Sequence, residues 1–179
     1  MEGNERKFVE TYSLHKKNTD CELCKVIFEV RQYNSSADNH YKTEVTTRIR
    51  YGYRSLSLGK YAFENFRESH RRIHISDLIL PTCLRGNRIA VFVFNRMFGY
   101  LSDEVKRVPQ IFTGRLVAQD KASNRDHFYK RLIGYDTAHP LAKFNVDEEG
   151  EGSFEGQFVD IGESWKLSLD AVIVPNESN

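Results

Sequence analysis

No stretch of this 179-residue chain approaches the ~20 consecutive apolar residues that a membrane-spanning helix requires. Its opening residues, MEGNERKFVE, are charged where a secretory leader would be apolar. Proline is scarce, at 4 residues, and no Pro/Gly/Ser-rich linker, repeat or low-complexity tract divides the chain. Cysteine is scarce too. Cys21, Cys24 and Cys83 make an odd number without a leader, so reduced thiols are expected rather than disulfides. The Cys21-Glu-Leu-Cys24 spacing suits a zinc knuckle, with His15 upstream. A structural zinc site takes four ligands, however, and no second close Cys/His pair follows, so no metal is expected.

An excess of one charge is also missing. The 26 Lys and Arg stand against 25 Asp and Glu, a net of +1, which excludes a globally basic nucleic-acid binder. What is present is core-forming material: 40% of residues are apolar and 12% aromatic, too many for a disordered chain. The expectation is one soluble, cytoplasmic domain over 1–179. The near-neutral total hides a split. Residues 1–135 carry 24 Lys/Arg and 15 Asp/Glu, a net of +9, whereas 136–179 carry 2 and 10, a net of −8.

Period-two alternation predicts strands over 25–33, 41–53 and 60–67, with Asn34–Asn39 as a turn, which reads as an antiparallel meander. In residues 72–80 the pairs Ile73/Ile75 and Leu78/Leu80 are out of phase by one position. A β-bulge near Ser76-Asp77 would restore the phase, and an irregular strand is the alternative. After Pro81 and a loop, apolar residues on most of its circumference predict a buried helix over 88–101. A strand over 111–118 follows, then a helix with Ser123 as N-cap, Asp126 in its first turn and Gly134 at its end. The acidic run 147–151 reads as a loop, and 154–161 with 165–174 as a closing hairpin. The class is therefore mixed α/β (α+β) around one largely antiparallel sheet.

One segment carries chemistry. Arg85-Gly86-Asn87-Arg88-Ile89-Ala90 leaves a strand and opens a helix, where backbone N–H groups and the positive dipole end suit an anion. It lacks the lysine of a P-loop, and no GxGxxG is present, so ATP and dinucleotides lose support. One strand and one helix later comes Asn124-Arg125-Asp126-His127-Phe128-Tyr129-Lys130-Arg131-Leu132-Ile133-Gly134-Tyr135. Together the two stretches resemble the GNAT superfamily of N-acetyltransferases. There, a strand ending near a proline precedes an R/Q-x-x-G-x-G/A loop and a helix, and a later helix carries a tyrosine before a terminal glycine. The resemblance covers residues 60–135, and the closing strands by order only.

The resemblance implies acetyl-CoA, or another acyl-CoA, as co-substrate and a primary amine on a small molecule or protein as acceptor. Leu80 and the stretch Leu84, Arg85, Gly86, Asn87, Arg88, Ile89 and Ala90 would hold the pyrophosphate. A V-shaped gap between strands 72–80 and 111–118 would admit the pantetheine arm. Tyr129 would protonate the leaving thiolate, and Asn124 would orient the cofactor or cap its helix. Candidate bases are Asp77 at the proposed bulge and His74, a group that titrates in the useful range. The family's glycine is replaced by Arg88, and residues 1–45 hold no amphipathic helix to wall the substrate site. An inactive acyl-CoA-binding or regulatory module is therefore the alternative function. A basic–aromatic run, Arg48, Arg50, Tyr51, Tyr53 and Arg54, gives a weaker nucleic-acid reading. Exposed sheet edges suggest a homodimer, and the acidic tail suggests attraction of a cationic amine.

Overall fold

Alternation of apolar and charged residues builds four long strands. In the computed structural model these are β1 (Asn4–Lys16), β2 (Glu22–Ser35), β3 (His40–Tyr51) and β4 (Arg54–Asn65), each antiparallel to the next. The structure describes residues 4–35, 40–52, 54–65 (backbone alone), 71–76, 79–101, 106, 109, 111–118, 122–135, 140–159 and 162–175. β1 extends the expected meander by one strand. Its alternation is disguised because Glu10 shares the inward face with Phe8, Tyr12 and Leu14. That carboxylate is accommodated by hydrogen bonds from Tyr12 Oη at 2.8 Å and Tyr100 Oη at 2.7 Å, with Arg96 Nη2 at 3.5 Å.

The chain continues through β5 (Arg71–Ser76), α1 (Ile89–Gly99), β6 (Ile111–Leu116), α2 (Ala122–Leu132), β7 (Lys143–Val146), β8 (Gly152–Gln157) and β9 (Leu169–Val174). The nine described strands join one sheet in the order β7-β8-β6-β5-β4-β3-β2-β1-β9. The pair β5·β6 is parallel and the other described pairs are antiparallel. A parallel pair needs a crossover, which α1 supplies. The architecture is thus mixed α+β, and among the described residues no helix is long and apolar enough to cross a membrane.

Both described helices, α1 and α2, pack on the same face of the sheet. From α1, Phe92 meets Tyr12 at 5.4 Å and Phe94 meets Phe112 at 5.8 Å, ring centre to ring centre. From α2, Tyr129 meets Phe154 at 4.5 Å. Val26, Phe28, Val45, Ile49, Ile73 and Phe112 complete this core face. The opposite face carries Lys25, Glu29, Arg48, Arg50, Arg72, His74 and Arg115 on alternate positions, exposed or half-buried. It is called the open face below.

Several expectations need correction. Residues 154–161 and 165–174 are not partners: β8 pairs with β7, and β9 crosses to the far edge of the sheet beside β1. The cause is Trp165, in a 3-10 turn at Ser164–Leu167. Its ring sits 5.0 Å from that of Phe92 and its Nε1 donates to Asn95 Oδ1 at 3.3 Å, which draws the segment across α1. The acidic run 147–151 is the β7–β8 turn. Asp147 Oδ1 accepts from the N–H groups of Glu149 and Glu151 at 3.0 and 2.8 Å, so this carboxylate shapes the turn. Ser123 lies inside α2, which begins at Ala122, so it is not the N-cap; nor is Asp126 in the first turn. The ladder of β5 is regular from Arg71 to Ser76, and the proposed bulge and Asp77 lie outside the described residues. Among the described residues, register shifts fall between Thr47 and Arg48 and between Leu14 and His15.

Candidate functional site

The parallel ladder runs from Arg72 opposite Ile111 to Ile75 opposite Gly114, and β6 continues beyond it to Leu116. Past the end of this pairing comes the loop that opens α1. Leu84 anchors it in the core within a 3-10 turn at Thr82–Leu84. Arg85 Nε donates to Leu80 O at 2.9 Å and Asn87 Nδ2 to Leu84 O at 3.3 Å, so two of the expected anion-binding side chains brace the loop itself. Gly86 has φ +83, a left-handed conformation that glycine adopts at no steric cost. Arg88 also has positive φ, at 59°. That backbone requirement explains why glycine suits this position. The Arg88 side chain does not crowd the helix end, because Nη1 donates to Ser164 O at 3.0 Å.

The first bond of α1 runs from Phe92 N–H to Arg88 O at 3.1 Å. The N–H groups of Ile89, Ala90 and Val91 precede it and have no intrahelical partner. No side chain caps the helix and its first turn contains no acid. An uncapped first turn beside two arginines can take an anion with several oxygens, such as a phosphate.

Tyr129 is a core residue, 4% exposed, stacked on Phe154 with 24° between the rings. Phe154 in turn covers Gly114, where a Cβ would meet its ring. Gly114, Phe154 and Tyr129 thus form a stack over the last residue pair of the parallel ladder. Asn124 is exposed near the start of α2. Arg125, which sequence reasoning passed over, is the fixed residue there: it donates to Val117 O through Nη1 and pairs with Asp126 at 2.6 Å.

His74 is exposed on the open face, and its Nδ1 lies 3.0 Å from Thr113 Oγ1 on β6. Thr113 has no sequence signature, since its closeness to His74 depends on the register of a parallel pair thirty-nine residues apart. The basic–aromatic run divides between faces. Arg48 and Arg50 point to the open face, whereas Tyr51 packs against the core, so no described Arg/Tyr ladder forms on one side. Tyr53 and the Arg54 side chain lie outside what is described.

Two electrostatic features sit elsewhere. Burial opposes the charge of Glu10, but hydrogen bonds from Tyr100 and Tyr12 and the nearby Arg96 prevail, holding its carboxyl below the usual range. Burial pushes the Cys24 thiol up to about 12. That thiol is buried while Cys21 and Cys83 are exposed, and all three are free. Among the described residues no group of three or more His, Cys, Asp or Glu is placed to hold a metal ion. Comparison with family models, with curated proteins and with solved structures returned no match for this chain.

Proposed function

We propose that the protein is an acyl-CoA-dependent N-acyltransferase of the GNAT type, moving an acetyl or short acyl group from the CoA thioester to a primary amine. The observation that carries this reading is the uncapped first turn of α1, presented by left-handed Gly86 and Arg88 just past the end of the parallel ladder. That turn suits the CoA pyrophosphate. The gap for the pantetheine arm would lie where β5 and β6 cease to pair, beside the Gly114–Phe154–Tyr129 stack. Tyr129 would reach the sulfur as proton donor only if the stack shifts on binding.

The burial of Tyr129 favours a second reading, a module that binds an acyl-CoA without turnover. So does the N-terminus, where residues 4–35 form strands rather than helices that could wall an acceptor pocket. For the homodimer, β9 is the better edge: Val172 and Ile173 are 55% and 62% exposed there, and residues 171–174, beyond Asp170 in this strand, carry no charge or proline to discourage pairing.

Isothermal titration with acetyl-CoA tests both readings. Binding is expected, weakened about tenfold in Arg85→Ala, which frees the Leu80 carbonyl and loosens the loop. No binding of acetyl-CoA, CoA or longer acyl-CoAs sinks the proposal. Binding with no thiol release across an amine panel selects the non-catalytic module.

A further inference from the structure

The backbone polar groups of an edge strand alternate in direction, and one hydrogen bond fixes which of them β9 turns outward. Lys17 N–H donates to Ser168 O at 2.9 Å, just past the last ladder pair, Lys16 opposite Leu169. In antiparallel pairing that bond makes Lys16 and Leu169 a non-hydrogen-bonded pair. The N–H and C=O groups of Asp170, Val172 and Val174 therefore turn toward β1, and those of Leu169, Ala171 and Ile173 turn away from it. Leu169 is fully buried, so its groups are closed to a newcomer, and Pro175 has no N–H to give. Between these two limits, Ala171 and Ile173 present two donors and two acceptors with no partner among the described residues.

We propose that β9 pairs antiparallel with β9 of a second copy about a two-fold axis at Val172, joining the two sheets edge to edge. The proposal goes beyond the acyltransferase reading and stands without it. Its register follows from the two ends of the open stretch. With Val172 on the axis, Ala171 of each copy stands opposite Ile173 of the other, and all four N–H groups find carbonyls. An axis at Ala171 would set Ile173 opposite the buried backbone of Leu169. An axis at Ile173 would set Ala171 opposite Pro175, which has no proton to donate.

The side chains agree with that register. The exposed Val172 would face its own copy across a non-hydrogen-bonded pair, where cross-strand side chains lie closest. On the other face the exposed Ile173 would cover the small Ala171 of the second copy. Asp170, the one charged residue of β9, is engaged by Lys17 Nζ at 2.5 Å and the Asn18 N–H at 2.9 Å, so it does not oppose the approach. At the other edge of the sheet, β7 is four residues long, begins with Lys143 and runs into the acidic turn, all of which discourage pairing. The contact is therefore isologous and closes at two copies.

Cysteine crosslinking in the full chain, with Cys21→Ser and Cys83→Ser to remove the exposed thiols, reads the register. Across the axis the two Val172 Cα atoms would stand about 4.5 Å apart, within disulfide reach. Two Ile173 residues would lie on a diagonal of about 7–8 Å, beyond that reach. Under mild oxidation Val172→Cys is expected to give a covalent dimer and Ile173→Cys to stay uncrosslinked. Crosslinking through Ile173→Cys overturns the register, and no crosslinking through Val172→Cys overturns the pairing. The interface is small, so the unlinked dimer should dissociate on dilution in sedimentation velocity. Val172→Lys sets two like charges opposite each other and should raise the dissociation constant about tenfold, with the far-UV circular dichroism spectrum unchanged. A dissociation constant unmoved by Val172→Lys, or a monomer at every concentration, overturns the proposal.

Discussion

Strands β1 to β4 and the crossover half from β5 to β8 share one sheet but are held together differently. The four meander strands are 12 to 14 residues long, and their inward positions Val26, Phe28, Val30, Val45 and Ile49 are at most 1% exposed. Repetition stabilises that half. In the crossover half the strands are 4 to 6 residues long and individual contacts substitute for ladder length. These include the ring stack over Gly114, the Arg85 brace and the left-handed residues before α1. A regular ladder satisfies its own polar groups and leaves nothing over for a ligand. The shorter half is where N–H groups and a histidine nitrogen remain available, so the candidate chemistry collects there.

The contrast breaks most visibly at the joint between the halves. Phe28 of β2 is fully buried, with ring centres of Tyr12, Phe92 and Tyr100 at 6.0, 6.3 and 5.6 Å. Phe28→Ala should cost ~3–5 kcal/mol in a denaturant titration, because the meander and α1 cannot both close on the cavity. A loss below about 1 kcal/mol would mean that the halves are stable independently, against the joint described above.

A smaller effect probes the close contacts of the crossover half. A Cβ on Gly114 would run into the Phe154 ring and stand 3.3 Å from Ile75 O, on the backbone of the neighbouring strand. Gly114→Ala should therefore cost about 1–3 kcal/mol through overpacking. Gly99, at the end of α1, has open space around its Cβ position, and Gly99→Ala should fall between no change and a gain of about 1 kcal/mol from helix propensity. Thermal melts of the two variants compare them directly; equal melting temperatures would remove the ring stack as a constraint.

Legibility followed the same division. Three of the four meander strands, the buried helix after Pro81 and the glycine at the end of α2 could be read because period and end signals act over neighbouring residues. β1 escaped because Glu10 occupies an inward position whose partners, Arg96 on α1 and Tyr100 just past its end, lie some ninety residues away. The closing hairpin was misread for a related reason: 154–161 and 165–174 both alternate, and only the burial of Trp165 against Phe92 sends the second to the far edge. In the candidate site, the glycine-bearing loop that opens α1 was legible as local backbone chemistry. Thr113 was not, since a cross-strand partner in a parallel pair leaves no trace in either segment.

The last and smallest prediction concerns Arg88, where loop backbone and helix end meet. Its φ of 59° and ψ of 19° place a side-chain-bearing residue in the left-handed region, at a cost of roughly 1–2 kcal/mol relative to glycine. Against that cost stands one hydrogen bond to Ser164 O at 3.0 Å, exposed and worth about 0.5–1 kcal/mol. Arg88→Gly removes both terms and should change stability by less than about 1 kcal/mol. Arg88→Ala removes the bond but keeps the strained backbone, so it should be the less stable of the two by ~1 kcal/mol, despite glycine's greater entropy in the unfolded chain. If chemical denaturation ranks alanine equal to or above glycine, the left-handed turn is not what presents the first N–H groups of α1. The uncapped helix end would then lose its rationale as the feature that sets the crossover half apart from the meander.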